Sequence, residues 1–247
     1  MDESRFRQYL AESGPAMAGR SQRLALPLRA LHRQILQHFA GTGDAPAPGV
    51  FAGWAASAGV DAREALAGLV TADLAEADPD SGRILGAYPF SAVPRGHQVA
   101  IAGGPSVQAY CALDALGIPA MVGRDADITS RDPGSGAGIR VQVSAGDATW
   151  TPAGAVVTFP AGEFALLVTG GNEEPAVQSC CPTVNFHASA AGAGAYQRAH
   201  GLELEILTLP QALRFGSAVF GQLLSPVRED GRHGRQGGPG AAIRGLR

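Results

Sequence analysis

The first long stretch of regular hydrophobic spacing is LPLRALHRQILQHFAG, where Leu28, Leu31, Ile35, Leu36 and Phe39 recur at three- and four-residue intervals. That period predicts an amphipathic helix, closed by the Gly-rich GTGDAPAPG stretch that begins at Gly41. A short apolar piece, VFAGWAASAG, follows, and DAREALAGLVTADL opens with Asp61 and Glu64 in the spacing of a capping box. Two short extended pieces then flank a DPDSG turn. Three helices and a small hairpin is the order of a winged-helix module, predicted over residues 24–89.

From about residue 90 the pattern changes. HQVAIAGG reads as a strand, and Gly104-Pro105-Ser106 as a helix start, since proline suits the first helical position. That helix runs through YCALDAL and is predicted to stop near Gly117, because Pro119 disfavours helical backbone in the residue before it. GIRVQVSAGDATWTPAGAVVTFP alternates like antiparallel strands with a hairpin at Ala145 to Asp147. TVNFHAS is a further strand candidate, AGAYQRAHG a helix ending at Gly201, ELEILTL a strand, and PQALRFGSAVFGQLL an amphipathic helix begun by Pro210.

The expected fold class is therefore α+β: an N-terminal winged-helix-like helical module, then a mixed or antiparallel sheet with flanking helices over 90–225. Residues 1–23, polar and rich in Arg and Ser, read as a mobile or loosely docked extension. The Gly- and Arg-rich tail 226–247 has little to bury and is expected to be disordered.

Composition narrows the function. All 19 basic residues are Arg, and the net charge is −3, so no global attraction to nucleic acid or anionic membranes exists. The third predicted helix, which would read DNA, offers Asp61, Glu64 and Asp73 against Arg63. Phosphate contact needs the opposite balance, which argues against DNA binding. The N-terminus lacks a secretory h-region, and no stretch approaches the ~18 uncharged apolar residues of a membrane span. The cytoplasm is the expected location.

The chemistry gathers at three cysteines, Cys111, Cys180 and Cys181, which are too few for a disulfide scaffold. Cys111 and Asp114 lie three apart in a predicted helix and so share a face, while Leu113 and Leu116 turn to a core. A lone apolar-helix cysteine is commonly a small core side chain. Asp114 is different, since a carboxylate buried unpaired costs several kcal/mol and must be paired, exposed or functional. Without CxxC or HxxxH spacing, a closed zinc site is disfavoured. Two thiolates from separate elements suit instead a soft ion of low coordination number, with the carboxyl as a proton donor.

YCALDALGIPAMVGR, followed about seventy residues later by SCCPTVNFHAS, resembles the organomercurial lyases, also called alkylmercury lyases. The resemblance covers roughly residues 24–224. By motif position it implies a catalytic trio of Cys111, Asp114 and Cys180, with mercury held by these groups as substrate and product. It leaves Cys181 without an assigned role, and it places Arg131-Asp132-Pro133 where many members carry another cysteine. The implied activity is protonolysis of a carbon–mercury bond to a hydrocarbon and Hg(II), with no cofactor, low-molecular thiols for release, and hand-off to a mercuric reductase. A free Asp has a pKa near 3.9. Asp114 must therefore be raised by burial or loaded with a proton by Cys111. A non-catalytic thiolate metal-binding or metal-sensing protein, with the helical module as signalling element, is the alternative.

Overall fold

The computed structural model describes residues 1–13, 16–160, 162 and 174–225. The tail predicted over 226–247 lies outside the described residues.

The chain begins with helices α1 (Glu3–Ser13), α2 (Ala16–Arg23), α3 (Leu26–Thr42), α4 (Pro48–Ser57) and α5 (Ala62–Thr71). The periodic residues Leu31, Ile35, Leu36 and Phe39 of α3 are buried, and Gly43 closes that helix in the left-handed conformation with φ 89°. The Asp61 carboxylate caps α5 by accepting the Arg63 and Glu64 N–H groups. The segment expected to be loose is docked. Phe6 is 1% exposed, and the Met1 ammonium donates to the Ile206 carbonyl at 2.8 Å. The amphipathic spacing of Phe6, Tyr9 and Leu10 was masked by the surrounding Arg, Glu and Gln.

Strands β1 (Ala75–Ala77), β2 (Ile84–Ala87), β3 (Phe90–Ser91), β4 (His97–Ile101), β5 (Ser106–Ala109), β6 (Ala126–Arg131), β7 (Gly138–Ser144) and β8 (Asp147–Thr151) form an antiparallel sheet in the order β1-β2-β3-β5-β4-β6-β7-β8. The β1–β2 hairpin is thus no free wing. It is the edge of the main sheet, because β2 pairs onward with β3. One cluster of buried residues runs from Phe6 to Leu223, so the helical module and the sheet share a core across the boundary expected at residue 90.

The central strands β4, β6 and β7 alternate in burial. In β4, His97, Val99 and Ile101 are buried while Gln98 and Ala100 face solvent, the mark of a sheet covered on one side. The covering helices are α6 (Ala112–Val122) and, later in the chain, α9 (Leu209–Phe220). A second sheet, β10-β9-β11, is built from β9 (Val156–Phe159), β10 (Phe186–His187) and β11 (Glu205–Thr208). Helix α7 (Ala176–Ser179) and a 3₁₀ turn, Cys181–Thr183, precede β10, and α8 (Ala190–His200) follows it.

Two expectations near the opening of α6 are corrected. Gly104-Pro105-Ser106 starts no helix: the Gly104 N–H donates to the Ile101 carbonyl in a tight turn, and 106–109 return as β5 beside β4. Burial of Val107 and Ala109 on the inner sheet face decides the matter. Nor does the helix stop before Pro119, which lies inside α6. The proline forfeits one backbone hydrogen bond, but its surroundings are buried from Ala112 to Pro119, so packing on the sheet and on α9 outweighs the local preference. Among the described residues no helix is long and apolar enough to cross a membrane.

Candidate active site

Cys111 comes directly out of β5 and caps α6 rather than lying within it. Its backbone is extended, with φ −148° and ψ 179°, and its sulfur accepts the Asp114 N–H at 3.5 Å. The i, i+3 pair therefore meets through capping geometry, the usual relation of an N-cap to the N3 residue. Asp114 is 2% exposed.

The third member arrives from far along the chain. Cys180 ends α7 and Cys181 opens the 3₁₀ turn, and the Ala112 N–H donates to the Val184 carbonyl at 3.0 Å, tying that turn to the start of α6. The Cys181 thiol faces the Asp114 carboxyl, with Sγ 4.0 Å from Oδ2. The sulfurs of Cys111 and Cys181 and a carboxyl oxygen of Asp114 all lie within 4.8 Å of one another. The structure thus brings Cys181, not the expected Cys180, to this pair. Cys180 is buried too and lines the same cavity. Pro182 carried the missed signal: it cannot donate in a strand ladder, and it argued for a turn at Cys181.

A small cavity of about 50 Å³ opens against this trio. Its walls are apolar: Leu113, Val184, Phe215, Val219 and Phe220, with Met17 and Tyr88 beside them and Arg20 as its cation. All three cysteines are reduced thiols.

Burial sets the protonation. It pushes the Asp114 carboxyl well above its ordinary value, with the neighbouring Cys111 adding to the effect. Cys111 is raised as well, first by burial and then by its hydrogen bond with Cys181. For Cys181 the bond with Cys111 favours the thiolate, but burial and the charge of Asp114 overcome it and hold the thiol up at about 12. Burial thus biases all three groups of the site toward their protonated, uncharged forms.

Residues 90–221, over half of the chain, match the family model for alkylmercury lyase. This chain belongs to the alkylmercury lyase family. An alkylmercury lyase from Staphylococcus epidermidis (strain ATCC 12228 / FDA PCI 1200) is 29% identical over 162 residues, 66% of this chain and 70% of the relative. The crystal structure of the mercury-bound form of MerB2 is similar in fold, with a TM-score of 0.69 and 23% identity, covering 87% of this chain and 100% of that one. The alkylmercury lyase match begins at β3 and ends just after α9, so it contains both cysteine elements and the helix that packs over them.

In many alkylmercury lyases, by the resemblance above, a further cysteine falls near Asp132. Here Asp132 is buried and accepts the Ala188, Gly134 and Ser135 N–H groups, a structural use that anchors the chain just beyond β10.

Proposed function

We propose that this chain cleaves the carbon–mercury bond of organomercury compounds, with Cys111, Cys181 and Asp114 as the reacting groups. The observation that carries the reading is the buried contact of two thiols and one carboxyl on the floor of an apolar cavity. A soft ion prefers thiolate ligands in small number, and the apolar walls suit an alkyl or aryl group on mercury.

R–Hg–X reacts first with one thiol, which becomes a thiolate on mercury as X leaves with its proton. The protonated Asp114 delivers its proton to carbon as the second thiol binds mercury, and the resulting carboxylate takes up the proton that this thiol gives up. The carbon–mercury bond breaks with its electrons going to carbon, giving R–H and mercury held between two sulfurs. Burial shifts Asp114 toward its protonated form, which would supply the acid without an outside donor. The upward shift of Asp114 by burial supports direct elevation as the source of the first proton, with thiol loading as the means of recovery. Low-molecular thiols then compete for Hg(II), and a reductase with paired cysteines is the proposed acceptor.

The test is release of benzene from phenylmercury by the full chain in excess thiol. Asp114→Ala retains Hg(II) but loses turnover by about 10²-fold or more, the scale of a lost general acid. Cys181→Ser loses turnover more severely than Cys180→Ser. Stoichiometric capture of phenylmercury without benzene would instead support the metal-binding alternative, and full turnover by Asp114→Ala would overturn the proton assignment.

A further inference from the structure

Helix α7, which delivers the cysteine pair, has little to hold it in place by itself. It is four residues long, its N-cap is Pro175 with no side-chain cap, and none of its residues is buried. A helix of that length is unstable without tertiary partners. Yet its far end must keep the Cys181 sulfur within 4.8 Å of Cys111 and Asp114.

Two side chains from elsewhere supply the restraint. Both oxygens of the Asp73 carboxylate accept the Ala176 N–H at 3.3 Å. The Tyr88 hydroxyl accepts the Val177 N–H at 2.9 Å and donates to Asp73 Oδ1 at 3.3 Å. These are the first free N–H groups of α7, which its own N-cap leaves uncapped. Asp73 sits at φ 50°, a backbone region that residues with side chains occupy at a cost of about 1 kcal/mol or more. Its charge is met by Arg20, whose Nη1 lies 2.6 Å from Oδ2. Tyr88 is 3% exposed, and its ring lies 4.8 Å from that of Tyr110, the residue before Cys111. One aromatic pair therefore touches both cysteine-bearing segments.

We propose that Tyr88 and Asp73 are positioning residues that register α7 against α6, so that Cys181 meets Cys111 and mercury is captured by two thiolates instead of one. The proposal rests on the reading of Cys111 and Cys181 as the mercury-binding pair. Arg20 neutralises the carboxylate that the arrangement requires near the uncharged site, and it links the same knot to α2.

The experiment titrates the reduced full chain with HgCl₂ against a competing dithiol, reading thiolate-to-mercury charge-transfer absorption, for the wild type, Tyr88→Phe, Cys181→Ser and the double variant. Urea midpoints check that each is folded. Tyr88→Phe weakens Hg(II) retention about tenfold, the scale of one lost buried hydrogen bond. Its capture of phenylmercury, which needs one thiolate, falls several-fold less than its Hg(II) retention. In the Cys181→Ser background the same substitution causes no further loss, because a residue that acts through Cys181 is non-additive with it. Asp73→Asn, which keeps an acceptor and tolerates the left-handed backbone, holds affinity within about threefold, whereas Asp73→Ala falls as Tyr88→Phe does. Wild-type retention by Tyr88→Phe, or an undiminished tenfold loss in the Cys181→Ser background, overturns the positioning role alone. Wild-type retention by Cys181→Ser overturns the reading of the pair, and the positioning role with it.

Discussion

Asp114 is the residue on which the proposed chemistry turns, and its burial makes a measurable claim about stability. A carboxyl whose folded-state value is raised adds stability that is fully present below the unfolded value, near 3.8. That contribution is lost as pH rises toward the folded-state value, because the unfolded chain then releases a proton that the fold retains. The stability of the wild type should therefore fall, relative to Asp114→Asn, by up to about 1.4 kcal/mol per pH unit between pH 5 and 7. Urea unfolding of both proteins across that range measures it, and parallel curves would mean that Asp114 ionises freely in the fold. The residue types at the site are legible in the sequence: a carboxyl in an aliphatic run demands an explanation, and Cys111 beside it offers one. The choice between Cys180 and Cys181 is not legible there, because neighbours in sequence differ only in the direction that a turn gives them.

At the scale of elements, the site depends on how closely α9 crosses α6. Gly216 and Gly117 make that crossing possible. A Cβ at Gly216 would lie 2.6 Å from the Leu113 carbonyl oxygen and 3.0 Å from the Gly117 nitrogen, and one at Gly117 would lie 2.5 Å from the Phe220 ring. The contacts are largely with backbone, which cannot rotate away. Gly216→Ala is accordingly expected to cost about 1–3 kcal/mol, the range for overpacking. It should also lower turnover, since it pushes Phe215 and Phe220 away from the cavity they line; thermal unfolding and benzene release read the two effects. Unchanged stability would show that the helices separate freely. The helices with strong periodicity, α3 and α9, were readable from spacing, although α9 starts at Leu209 behind a Thr208–Gln211 capping box and not at Pro210. Strand β5 and the passage of α6 through Pro119 were not, since there the burial supplied by partners overrides the local preferences of Gly104, Pro105 and Pro119.

For the molecule as a whole, the consequential feature is closure by its first residues. Phe6 is buried under the Arg214 guanidinium, 5.0 Å from its ring, and Glu3 pairs with Arg214 at 3.0 Å. Helix α2 then contributes Met17 and Arg20 to the cavity wall. Phe6→Ala should destabilise the chain by about 3 kcal/mol, the lower end for removing a buried ring, and should quicken maleimide labelling of the buried cysteines as local opening becomes easier. Labelling at the wild-type rate would place the opening elsewhere.

Residue chemistry and periodicity determined the class of fold, most of the helices, several of the strands and the pairing of a thiol with an acid, because these depend on neighbours a few positions apart. Tertiary structure decided that residues 1–13 and 16–23 dock, that the hairpin after α5 joins the main sheet, and that Cys181 lies beside Cys111 and Asp114. Each of those outcomes is set by contacts between segments far apart in the chain, such as Tyr88 with Val177 or Met1 with Ile206, whose energies no local pattern records.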